Sequence, residues 1–116
     1  MKAYRICEIK NNKLYTLFHG INGSRQMPMH TWLNAEIKDV CDGNHHSSTK
    51  YKSGFHVLVS VDSARDIIKK QFRAHRDLAI VECEIDGDIW KKSHSKSVVF
   101  LSEKIQIKSI IDIISL

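Results

Sequence analysis

"YKSGFHVLVSVDSAR", Tyr51 to Arg65, changes rhythm in its middle, and that change decides the fold class. Up to Val59 it leads into an apolar, β-branched run that reads as a strand. From Ser60 onward the apolar residues fall at helical spacing instead. Val61, Ala64, Ile67, Ile68 and Phe72 make one stripe, and Ser60 or Asp62 stands where an N-cap belongs, so a helix is expected over about 61–73.

Working outward from this switch, the flanks read mostly as strands. Lys2–Ile9 alternates, with Ala3, Cys7 and Ile9 on one face and Tyr4 and Ile6 on the other. "KNNK" supplies two asparagines that tolerate positive φ, and Leu14–His19 reads as the return strand of a hairpin. Gly20, Gly23 and Pro28 mark a loop. Thr31–Val40 fits strand and helix period alike; the strand is preferred because a loop and another strand follow. Leu78–Ile85 is apolar on both faces in its first half, which suits a central strand that ends at Gly87. "WKKSHSKS" reads as a polar loop, and "SVVFL" and "IQIKSIIDII" as two further β-rich runs, the last of which could finish as a short helix. The expectation is one α+β domain over 1–116: strongly twisted, mainly antiparallel β-structure with one principal helix.

The 116 residues, 42% hydrophobic and 27% charged, suit one soluble core. No apolar stretch is long enough to span a bilayer, and the charged, alternating start has no signal-peptide h-region, so a complete cytoplasmic chain is expected. Three scattered cysteines argue against a disulfide framework. The formal charge of +5 suits an anionic partner without naming one. Oligomeric state stays open.

Four places could carry chemistry. His19-Gly20 pairs an imidazole with bare backbone at a strand end; the plainer reading is a turn beside a packed histidine. Gly54-Phe55-His56 does the same at the mouth of the second strand, where Phe55 and His56 must face opposite ways. Cys41, Asp42, His45 and His46 share a loop, but their spacing fits no structural zinc pattern, and a solvated loop is preferred to a metal site. Arg65, Lys69, Arg73 and Arg76 would form one basic stripe that could meet phosphates or an acidic partner, or simply be the wet face of the helix. The hydrolase, Walker and dinucleotide-binding signatures are absent.

The order "LFHG", loop, "SGFHVLVSVDSAR", helix, "LAIVECEIDG", loop, "SVVFLSEKIQI" resembles compact ADP-ribosyltransferase-like proteins of the rifampin ADP-ribosyltransferase type, over about Leu14 to Ile107. The resemblance implies an NAD cleft between two sheets. His19 would hold a ribose hydroxyl, and Gly20 and Gly54 would lie against the cofactor. Glu82, Glu84 or Asp88 would stand near the reacting ribose, with Glu82 as the catalytic choice beside His19 and His56. His56 falls where that family usually has a stacking tyrosine, a departure from its pattern. The stretches "YKSGFH" and "AIVECEIDG" are also similar to small phage and prophage proteins. The favoured expectation is accordingly a phage- or prophage-type accessory protein that binds a host protein or nucleic acid without touching the membrane. An NAD-using enzyme is the alternative.

Overall fold

The computed structural model describes residues 1–16, 25–35, 39–41, 50–71, 77–91 and 98–115. They form β1 (Lys2–Lys10), β2 (Lys13–Thr16), β3 (Trp32–Asn34), β4 (Asp39–Cys41), β5 (Lys50–Lys52), β6 (Phe55–Val57), α1 (Val61–Gln71), β7 (Asp77–Lys91) and β8 (Phe100–Ser115). The class is α+β, a mostly antiparallel sheet with one helix.

Alternation in the first strand places Ala3 and Cys7 in the core and turns Tyr4 and Ile6 to the other face. Asn11 and Asn12 take φ of 51° and 62°, so β1 and β2 are joined by the two-residue left-handed turn that matches strand twist. The main sheet runs β2-β1-β7-β8-β3, with β6 also on β8. β6 and β3 share the edge of β8 away from β7, at Phe100–Ser102 and Lys104–Gln106.

The sheet then curls until its edges meet. Tyr4 and Leu58 exchange backbone hydrogen bonds of 2.9 and 2.7 Å, joining the end of β6 to β1. Arg25–Met27 pairs with β2 through Thr16 N–H to Arg25 O and Met27 N–H to Leu14 O, both 2.8 Å, while Met29 and His30 reach Ile107. Hydrogen bonding therefore runs round a small barrel. Its interior is filled by Ala3, Cys7, Leu14, Met27, Phe55, Val57, Ala79, Val81, Cys83, Ile85, Ile105 and Ile107.

Helix α1 packs outside that ring. Ala64, Ile67 and Ile68 bury against Leu58, Leu78, Ile80 and Val99. This explains why β7 is apolar on both faces at its start: Ala79 and Val81 line the barrel, while Leu78 and Ile80 lie under the helix. Past the helix the outer face turns polar at Glu82 and Glu84. Ser60, not Asp62, is the cap, its Oγ accepting from Ser63 N–H at 3.1 Å.

Three expectations need correction. Gly87 does not end β7. It sits at φ +76° inside a bulge, where Glu103 takes its carboxylate to Asp88 N–H at 3.0 Å, and the strand resumes to Lys91. Trp90 and Lys91, read as loop, are therefore strand. From Phe100 onward the two β-rich runs near the C-terminus are one 16-residue strand with no helical finish, because β7 pairs with it from end to end apart from bulged positions, while Val98 and Val99 precede it. In the ambiguous Thr31–Val40 stretch, Trp32–Asn34 is strand and Asp39–Val40 opens a hairpin with β5; 36–38 lie outside the described residues.

Candidate functional site

The residues singled out from sequence distribute unevenly. His19, Gly20, Arg73 and Arg76 lie outside the described residues, as do Asp42, His45 and His46. Gly54, His56, Glu82, Arg65 and Lys69 are described, and they fall on three different parts of the molecule.

At the mouth of β6, Phe55 is buried inside the barrel and His56 is half-buried on the outer face, as the strand period requires. Gly54 is there for packing. A Cβ on it would stand 3.0 Å from Trp90 Cζ2, 3.2 Å from Leu101 Cβ and 3.2 Å from the Ser102 carbonyl oxygen. The room left by its missing side chain is filled by the chain's own atoms.

Glu82 projects from the outer face of β7, where Lys2 Nζ pairs with it at 3.2 Å. That contact raises the pKa of Lys2, chiefly through the hydrogen bond and then through charge. Beside it, the Met1 ammonium donates to Glu84 at 2.9 Å and holds that carboxyl below its ordinary range by hydrogen bond and charge. The two glutamates thus anchor the first two residues of the chain to β7. Among the described residues, no three His, Cys, Asp or Glu side chains gather as a metal-ligand set.

Arg65 and Lys69 lie four residues apart on the exposed face of α1, so the first half of the basic stripe exists as one surface. Its charge is partly matched. Arg65 donates to Asp112 of β8 at 3.2 Å, and the neighbouring Lys70 pairs with Asp66 at 3.0 Å.

The Arg65–Asp112 bond points to a surface that motif reading passed over. Beyond Ile107, no described strand pairs the edge of β8 that carries β6 and β3. On this overhanging stretch Ile110, Ile111 and Ile113 are 41%, 43% and 57% exposed. Register shifts against β7 leave Lys108 and Ile111 without a Cα partner, so the strand bulges twice and consecutive isoleucines turn to solvent. The available signal was "SIIDIIS", which is apolar at both strand parities although only one face of this stretch has a helix to bury against. The result is an apolar strand end with Arg65 at Asp112 and the exposed Lys108 on the strand itself. No protein-family model, curated protein or solved structure matches the chain.

Proposed function

We propose that the chain is a small accessory protein of the phage or prophage type that works by binding a protein of its host, and that β8 from Lys108 to Ser115 with the adjoining face of α1 is the docking surface. The observation that carries this is a strand edge without a partner among the described residues, with three exposed isoleucines beside it. An edge of this kind offers unpaired backbone N–H and C=O groups together with apolar contacts, the combination by which an extended segment of a partner adds to a sheet. The occupant that fits is an apolar strand bearing acidic flanks, because Arg65 and Lys108 are cationic and the whole chain carries +5. A protein is favoured over nucleic acid because Arg65 and Lys70 already have carboxylate partners, and because isoleucines contribute nothing to phosphate binding.

The test uses the immobilised full chain and a bacterial lysate, with wild type beside an Ile111→Lys, Ile113→Lys double variant. The variant should melt as wild type does, since both positions are exposed. Wild type should retain a discrete protein at moderate salt and after nuclease treatment, and the variant should lose it. Equal capture by the variant refutes this surface. Capture abolished by nuclease identifies a nucleic-acid partner, and concentration-dependent self-association lost in the variant identifies a second copy of the chain; either result refutes a host-protein strand.

The ADP-ribosyltransferase-like arrangement is the competing proposal, with His19, His56 and Glu82 as catalytic residues and Gly20 and Gly54 against NAD. The engagement of Glu82 with Lys2 and the filled space at Gly54 lend it no support. Transfer from labelled NAD into lysate protein, lost in His19→Ala, would favour it over the binding module.

A further inference from the structure

Among the described residues, one charged side chain lies in the barrel interior with its apolar filling. Arg5 shares the inward face of β1 with Ala3 and Cys7 and is only 8% exposed. An arginine cannot shed its proton, so its charge is buried with it. Its Nη1 donates to the His56 carbonyl at 3.0 Å, a neutral acceptor. Its Nε is fully buried and has no hydrogen-bond partner, and among the described residues it is the one buried side-chain polar atom in that position. No carboxylate of the described residues forms an ion pair with it. The nearby thiols do not neutralise it either. Burial pushes Cys7 up and Cys83 up to about 12, with the Arg5 charge opposing both shifts and an Arg5 side-chain hydrogen bond also opposing that of Cys7, so each thiol keeps its proton and offers Arg5 a neutral contact but no counter-charge.

A second guanidinium shares this place. Arg5 Cζ lies 5.5 Å from the centroid of the Phe55 ring and Arg25 Cζ 5.6 Å from the same centroid. Arg25, itself exposed, arrives from the segment that pairs with β2 and reaches β8, held by its N–H to Thr16 Oγ1 at 2.9 Å and its Nη1 to the Asn34 carbonyl at 3.2 Å. Two guanidiniums therefore stand against one ring, and that of Arg5 is nearly desolvated. Stacking on an arene offsets only part of the cost of burying a cation. Among the described residues no carboxylate pairs with Arg5 or Arg25, so neither guanidinium has a negative charge with oxygen acceptors there.

We infer that Arg5 and Arg25 form a binding site for a small oxyanion, a carboxylate or phosphate group, which accepts from the Nε edge of Arg5 and is approached by Arg25 across Phe55. The side-on edge of a guanidinium is the one that takes such groups through two parallel hydrogen bonds. In the low-dielectric interior each of those bonds is stronger than at the surface. The site is independent of the β8 docking surface, because its residues lie inside and at the rim of the barrel.

The experiment is a thermal melt of the full chain at constant ionic strength, with chloride replaced stepwise by inorganic phosphate in one arm and acetate in the other. Either anion should raise the midpoint saturably, by several degrees at about 100-fold excess over its Kd. Phosphate alone acting assigns a phosphoryl ligand, and acetate alone a carboxylate. Arg5→Met should melt at or above wild type in chloride, having lost an uncompensated buried charge, and should lose the anion response by roughly tenfold or more. Arg25→Gln, at an exposed position, should weaken the response with the fold intact. No saturable shift with either anion overturns the proposal, as does an undiminished shift in Arg5→Met. Should Arg5→Met fail to fold, an undiminished shift in Arg25→Gln overturns it.

Discussion

Replacing Gly54 by alanine separates a packing glycine from one that makes room for a ligand. The backbone at Gly54 is not left-handed, so alanine meets no conformational barrier there. The new Cβ would come 3.2 Å from both Leu101 Cβ and the Ser102 carbonyl oxygen, and 3.0 Å from Trp90 Cζ2. The indole can pivot, but the other two atoms belong to β8, where Phe55 pairs with Ser102 and His56 with Leu101. Moving them stretches the ladder that fixes β6. Overpacking of this kind costs about 1–3 kcal/mol. The loss of glycine's freedom in the unfolded chain returns about 0.4–1 kcal/mol. The two ranges combine to a net destabilisation centred on about 1.3 kcal/mol, or a fall in Tm of about 5 °C for a domain of this size. Circular dichroism melts and urea titrations of wild type and Gly54→Ala measure it, with an unchanged m value expected. Gly54→Ser should fall further. Gly54→Ala melting at or above wild type would refute the packing account and restore the glycine as a place where a ligand approaches the backbone.

Three other predictions concern the helix and the core. Ser60→Ala should destabilise the chain by about 1 kcal/mol, because the Ser63 N–H loses its acceptor, whereas Asp62→Ala should cost less; equal losses in urea titrations would show that Ser60 is not the cap. Both Cys7 and Cys83 should resist alkylation at pH 8 until the chain is unfolded, since burial keeps them protonated and covered; rapid labelling of the folded chain would contradict that. For Cys83 the folded-state pKa is raised, so its contribution to stability is complete below the unfolded value near 9 and is lost as pH climbs through about 12. Cys83→Ala should therefore show a shallower decline of the urea midpoint above pH 9, and an identical decline would rule the thiol out as its source.

What the sequence determined by itself is whatever depends on near neighbours. Alternation in β1, the Asn11-Asn12 turn, the cap at Ser60 and the stripe of Ala64, Ile67 and Ile68 are consequences of backbone geometry within one turn or one pair of strands. The central place of β7 was legible as well, since a strand apolar on both faces has to be covered on both. The tertiary structure decided everything that depends on distant partners. Gly87 looked like a terminator and is a bulge because Glu103, sixteen residues away, receives the Asp88 N–H. Ser102, Glu103 and Lys104 separate the two β-rich runs in sequence and are strand because β7 runs long enough to pair with Ser102 and Lys104, with Glu103 opposite the Gly87 bulge. Arg5 stood between Ala3 and Cys7 in the strand period, but only closure of the barrel through the Tyr4–Leu58 pair shows that its face is interior. Likewise "SIIDIIS" signals excess apolar surface, but which isoleucines are exposed and which edge lacks a described partner depend on the elements around the strand. Local steric preference is written residue by residue, whereas the burial of a charge or an isoleucine is fixed by the closure of the whole sheet.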